Sequence, residues 1–182
     1  MTTDGLAQAD AIAARLACEP FDALVSSDLG RAQETARRIA VRKSMPIRLD
    51  ARFRERAFGQ GEGMTYEEVE RAWPGAFVRS RDVDPDLAVP GGESRRQFHA
   101  RVCEAFEAIA AQHAGRSVVV VTHGGVLATF FRHIHAIPLG AAHAIPISNA
   151  SYNVLRHDGA KWSVETWSDI AHLEAGDSFE EA

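Results

Sequence analysis

A three-layer α/β/α domain with a mostly parallel central sheet follows from three features of this 182-residue chain. Short β-favouring segments alternate with segments whose apolar residues recur at helical spacing, the order from which parallel sheets covered on both faces are built. The consecutive valines Val118 to Val121 form a β-branched run of the kind buried on both faces near the middle of such a sheet. That run leads through His123, Gly124 and Gly125 into another helical period, giving a strand, a glycine-rich turn and a helix start in succession.

Ala7 to Leu16 reads as an amphipathic helix and Phe21 to Ser26 as a strand that ends at the polar pair Ser26-Ser27. Leu29, Ala32, Ala36, Ile39 and Ala40 then mark a second helix, with Asp28 placed to cap its first turn, and Met45 to Leu49 reads as a strand. From Arg52 to Asp86 the pattern is irregular: Gly59, Gly61, Gly63, Pro74, Pro85 and Pro90 interrupt it around a short helix at Thr65 to Ala72. This stretch is expected to pass over one end of the sheet. A long helix follows, from Glu93 or Ser94 to about His113, with the stripe Phe98, Val102, Ala105, Phe106 and Ile109, and Val126 to Ile134 forms another. Ser151 to Arg156 and Trp162 to Thr166 read as a hairpin turning at Asp158-Gly159. Residues 1–173 are expected to make one domain, and Glu174 to Ala182 an acidic, loose tail.

Composition narrows the classes of function. Hydrophobic residues at 46% and charged residues at 25% are those of a soluble globular protein, and the length suffices for one core that removes about 70% of the unfolded surface from water. The formal charge of -5 and the lack of a basic run argue against nucleic acid as a partner. No apolar run is long enough to span a bilayer, and Met1 to Gly5 has no feature of a signal peptide, so no membrane partner and a cytoplasmic location are expected. Cys18 and Cys103 lack metal-ligand spacing and read as buried, reduced thiols. His133 and His135, two apart on a helix, diverge in direction, so no metal site is expected from them.

Ligands in open α/β sheets bind at the carboxyl ends of the strands. Two strands here deliver polar groups to that place, one with Ser26-Ser27-Asp28-Leu29-Gly30-Arg31 and one with Thr122-His123-Gly124-Gly125. A guanidinium, an imidazole and helix-terminal amides would converge there, a set suited to a phosphoryl group. Arg31 supplies the planar fork that bonds two oxygens at once, whereas Arg37 and Arg38 read as solvated. A single histidine is more often a core or helix-start residue. His123 departs from that expectation because it follows a buried strand and precedes glycines that let a ligand approach the backbone. Glu55 can act as general acid to a departing alkoxide; Glu62 in the same loop competes with it, and spacing does not separate the two.

Four blocks, in order, resemble those of the histidine phosphatase superfamily, the phosphoglycerate-mutase-like proteins. They are Ser26-Ser27-Asp28-Leu29-Gly30-Arg31-Ala32-x-x-Thr35-Ala36; Phe53-Arg54-Glu55-x-x-Phe58-Gly59-x-Gly61-Glu62-Gly63; Pro90-Gly91-Gly92-Glu93-Ser94; and Val121-Thr122-His123-Gly124-Gly125. The resemblance spans nearly the whole chain up to about Asp169. It implies a two-step phosphoryl transfer that uses no metal or other cofactor, with a phosphohistidine intermediate and a phosphorylated small molecule as substrate. By resemblance Arg31 clamps the transferring oxygens, His123 bonds them, Gly124 offers its N–H, Ser27 lines the pocket and Glu55 protonates the leaving oxygen.

The family's nucleophile stands on a first strand ending in Arg-His-Gly. Nothing like it precedes Met1, and Met1 to Ala9 resembles the block that follows that strand. The resemblance therefore implies a miscalled start or a truncation, and a chain inactive as written. Arg156-His157-Asp158-Gly159 is set aside as a substitute because it falls on the hairpin turn. The leading expectation is a phosphomonoester phosphatase. Phosphoglycerate mutase is the alternative: Arg71, Arg79 and Arg81 offer either charge for a second anionic group or merely a solvated face, and their mixture with Asp82, Asp84 and Asp86 in a short stretch favours the phosphatase. A non-catalytic phosphate-binding module is the reading of another class.

Overall fold

The computed structural model describes residues 1–76, 84–141 and 145–174. Three strands, β1 (Ala23–Ser26), β2 (Ile47–Leu49) and β3 (Val118–Val121), form a parallel sheet in the order β2-β1-β3. Leu24 is opposite Ile47 on one side and Val119 on the other, while Ser26 meets Leu49 and Val121. The helices are α1 (Thr3–Ala17), α2 (Gly30–Lys43), α3 (Tyr66–Ala72), α4 (Arg95–Gln112) and α5 (Gly124–Ile134). A separate antiparallel hairpin of β4 (Tyr152–His157) and β5 (Trp162–Asp169) leads into the short α6 (Ala171–Glu174). None of the described helices is long and apolar enough to cross a membrane.

The layers follow from strand alternation, because successive side chains point to opposite faces. Leu24 packs with Ile12, Leu16 and Ile39 of α1 and α2, joined by Val119 and Val121. Val25 packs with Phe98, Val102 and Phe106 of α4 and Val126 and Phe130 of α5, joined by Val118 and Val120. Phe106 stacks on Phe130 with ring centroids 4.0 Å apart. α4 begins where its sequence directs: the Ser94 hydroxyl accepts from Gln97 N, and the Gln97 side chain accepts in return from Ser94 N. Thr65 and Glu68 make the same reciprocal pair at α3.

Four expectations are corrected. The valine strand is not central: among the described residues β3 pairs with β1 alone and lies at the edge of the sheet, and its valines are half-buried. The hairpin nevertheless joins both cores beside it, Leu155 and Trp162 on one face and Tyr152 on the other, with no ladder between β3 and β4 among the described residues. Asp28 does not cap α2. That position is Leu29, with no side-chain bond, because Arg54 grips the Asp28 carboxylate through Nε and Nη2, both at 2.6 Å. Cys18 is exposed at the end of α1, and Cys103 is half-buried. Arg37 is exposed as expected, but Arg38 is tied to Asp10 (2.9 Å) and to Glu34.

The connection between β4 and β5 has the structural role read from its sequence. The Asp158 carboxylate accepts from Ala160 N and Lys161 N, both 2.9 Å, and Gly159 has φ of +97°. The suggested loose tail beyond Glu174, and Arg79, Arg81 and Asp82, lie outside the described residues.

Candidate active site

Because β1 and β3 run parallel in register, their carboxyl ends lie side by side and hand their next residues to one place. Ser27 N bonds Val121 O at 2.9 Å, extending the ladder by one step. Ser27 is fully buried, and His123 is 7% exposed. The His123 Nε2 lies 2.8 Å from Ser27 Oγ, and Arg31 Nε, from the first turn of α2, donates to His123 Nδ1 at 3.1 Å. A guanidinium only donates, so Nδ1 is the unprotonated nitrogen and Nε2–H donates to the serine hydroxyl. That hydroxyl also accepts from Leu29 N at 3.3 Å. The imidazole is held neutral, in one tautomer and one orientation.

Burial first, and then the charge of Arg31, lower the pKa of His123 from its ordinary 6.5 to about 4. The unfolded chain takes up a proton as pH falls through 6.5, while the folded chain resists until about pH 4. This residue's favourable contribution is thus complete above pH 6.5 and is lost by about pH 4, an effect on the order of 3 kcal/mol. Urea denaturation at pH 7 and pH 4 should show a smaller loss of stability in His123→Gln than in the parent. An equal loss would mean that His123 is not the buried base described.

His123 is also the N-cap of α5, so the first amides of that helix emerge beside its ring. Gly124 is exposed there. Gly125 N donates to Glu55 Oε2 at 2.9 Å, and Glu55 Oε1 accepts from Arg56 N at 2.8 Å. A Cβ on Gly125 would stand 2.1 Å from Glu55 Oε1, so only glycine admits the carboxylate there. Glu62 is elsewhere: it is exposed, and its Oε1 accepts from Phe58 N at 2.9 Å within its own loop. The two acids that spacing left equivalent are separated, and Glu55 is the one brought to α5 and His123.

The loop that carries Glu55 is fastened by residues the sequence did not single out. Arg101 on α4 donates through Nη1 to Arg52 O (2.7 Å) and Arg54 O (3.0 Å) and through Nη2 to Glu55 O (3.5 Å). Its Nε and Nη2 also bond the two oxygens of Glu93 at 2.7 and 2.6 Å. Glu93 accepts from Ala57 N at 3.0 Å, and its own N–H donates to Ala57 O at 2.8 Å. Thr122 Oγ1, from the residue before His123, donates to Phe53 O at 2.9 Å. Arg101 carries no sequence signal that would tie it to Glu93, which lies just ahead of the Ser94 cap and about two turns from Arg101 along α4.

The described residues thus bring Arg31, Ser27, His123, the head of α5 and Glu55 together. Arg71 is exposed on α3, and Asp86 is engaged in an ion pair with Arg96, so neither joins that group. These groups gather at the carboxyl ends of β1 and β3 in an α/β protein, where a guanidinium, an imidazole and helix-terminal amides are chemically suited to an anion. The description of the histidine phosphatase superfamily (branch 1) matches residues 1–170, and the chain belongs to that superfamily.

Relatives agree in sequence and in shape. The chain is 40% identical over 172 residues to the metal-independent phosphoserine phosphatase of Arabidopsis thaliana, covering 93% of this chain and 71% of that one. It is 36% identical over 174 residues to phosphoglycerate mutase-like protein 4 of the same plant, covering 93% and 74%. The structure of mycobacterial glucosyl-3-phosphoglycerate phosphatase with inorganic phosphate superposes with a TM-score of 0.80 at 30% identity, over 94% of this chain and 88% of that one.

Proposed function

We propose that this chain supplies the phosphate-binding and acid groups of a metal-independent phosphomonoester phosphatase acting on a phosphorylated small molecule. The convergence of Arg31, His123 and Ser27 beside the head of α5 is the observation that carries the reading. Arg31 turns from His123 Nδ1 to clamp two phosphoryl oxygens and Gly124 N–H bonds another; Nδ1, released by Arg31, takes up a proton beside the phosphoryl group and donates it in a hydrogen bond, while Ser27 keeps the ring in place. Glu55, at the start of α5, protonates the departing oxygen. His123 takes the oxygen-binding role that the resemblance gives it and not that of the nucleophile; its Nε2 is held by the buried Ser27, and its Nδ1 is turned to the Arg31 guanidinium. The resemblance gives the phosphoryl-accepting role to the histidine of an Arg-His-Gly run, and no such run occurs in residues 1–182. Phosphatase is favoured over mutase by the names of the phosphatase relatives.

Phosphate affinity tests the site directly in the 182 residues. Titration with inorganic phosphate, followed by phosphorus resonance or calorimetry, should show saturable binding that Arg31→Ala weakens by about tenfold or more. Arg37→Ala, on the exposed face of α2, should leave it unchanged. Equal affinity in the parent and in Arg31→Ala removes the basis of the proposal.

A further inference from the structure

His133 stands ten residues beyond His123 on α5, about 15 Å along the helix at 1.5 Å per residue. There α5 faces α4 through a second polar cluster. His99 and Cys103 are one turn apart on α4, and a ring nitrogen of each histidine and the Cys103 Sγ all lie within 4.8 Å of one another. Cys103 Sγ is 3.5 Å from a His99 nitrogen, Nε2. In a tetrahedral zinc site with Zn–S of about 2.3 Å and Zn–N of about 2.0 Å, a sulfur and a nitrogen ligand are separated by about 3.5 Å. The third ligand, His133, is exposed, so its side chain is the least constrained by packing of the three.

We propose that His99, Cys103 and His133 form a binding site for a thiophilic divalent cation, zinc in the first place, with water in the fourth position. The ligand types match: imidazole and thiolate together select zinc over magnesium or calcium. The surroundings support the geometry. The His133 ring stacks on the fully buried Phe130 at 5.6 Å and 17°, and it faces the His99 ring at 5.3 Å.

A thiol binds a metal as the thiolate, so the cation must displace the Cys103 proton. Binding forms one Zn–S and two Zn–N bonds and releases one proton to solvent, so affinity rises with pH. The charged groups near the cluster are Glu107 and Arg96 on α4 and Arg132 on α5, with Arg96 already paired to Asp86. The proposed cation takes no part in phosphoryl transfer. It joins α4, which holds the Glu55 loop through Arg101, to α5, which presents His123 and Gly124.

Equilibrium dialysis of the chain against zinc should give one bound ion, and replacement by Co(II) should give a thiolate-to-metal charge-transfer band. His133→Ala, a surface change that leaves the core intact, should weaken zinc binding by about tenfold or more. Cys103→Ser should abolish the band, and His135→Ala should change neither. Bound zinc should also raise the melting temperature of the parent but not of His133→Ala. No saturable binding by the folded parent, or an affinity unchanged in His133→Ala, overturns the proposal. A charge-transfer band that survives Cys103→Ser does so too.

Discussion

A chain extended ahead of Met1 by a strand ending in Arg-His-Gly should hydrolyse p-nitrophenyl phosphate in the presence of a chelator, while residues 1–182 alone should not. The expected difference is on the order of 10⁴- to 10⁶-fold, the scale of removing a nucleophile from an enzyme that works through a covalent intermediate. Within the described residues no histidine other than His123 reaches the site. His99 and His133 lie in the cluster at the far end of α5, His157 stacks on Trp162 in the hairpin, and His172 is bonded to Ala150 O near α6. His113 ends α4, and His135 packs on Phe131. His123 has both nitrogens occupied.

The fold offers such a strand a place. β3 has a free edge, and β4 contributes to the same two cores without pairing to it. A strand of ~5 to 6 residues there would present its last side chains beside His123 and Arg31. Left unpaired, the β3 edge favours self-association, so the shorter chain should also be the less soluble of the two. Robust turnover by residues 1–182 that disappears in His123→Ala would instead make His123 the nucleophile.

In that extended chain, Glu55→Gln should lower the rate with alkyl phosphates by ~10²- to 10⁴-fold and the rate with p-nitrophenyl phosphate far less. An amide keeps an oxygen to accept from Gly125 N, so the loop stays in place while the proton is lost. Only poor leaving groups need that proton. Glu62→Gln, in which an amide oxygen can still accept from Phe58 N, should behave as the parent. Gly125→Ala should imitate Glu55→Gln because its Cβ takes the space of the carboxylate. If Glu62→Gln carries the large loss and Glu55→Gln does not, the acid has been misassigned.

Much of this was legible in the sequence because periodicity and capping are local. The stripe Phe98, Val102, Ala105, Phe106 and Ile109 is the buried face of α4, and Ser94 begins that helix. The strand-turn-helix reading placed His123 at the carboxyl end of β3, and parallel pairing set it beside Ser27 and Arg31.

What was not legible depends on partners distant in sequence. Four valines have the same pattern in a central strand as in an edge strand, and only the pairing list of the whole sheet decides between them. Asp28 has the chemistry of a cap, but Arg54, twenty-six residues away, outcompetes the helix amides with a two-pronged ionic contact. Arg101 looks like any solvated helix arginine until the loop of Glu55 is laid across it. The separation of Glu55 from Glu62 likewise needs the position of α5.

The crossing of the 57–59 and 90–93 segments has a consequence for how such a protein changes over time. Ala57 and Glu93 bond each other twice, Gln60 N donates to Pro90 O at 3.0 Å, and a Cβ on Gly59 would sit 2.3 Å from that same carbonyl. Gly59 itself has φ of +53°, a backbone region suited to glycine. The intervening stretch is therefore an excursion tied shut at its base. Its ends stay together whatever its length, and lengthening a closed loop costs little, roughly 0.6 kcal/mol per doubling. Substitutions, insertions or deletions between residues 61 and 89 can be tried by evolution while the acid below the knot does not move. The arrangement separates a stretch whose length can change from the acid that must hold still for chemistry.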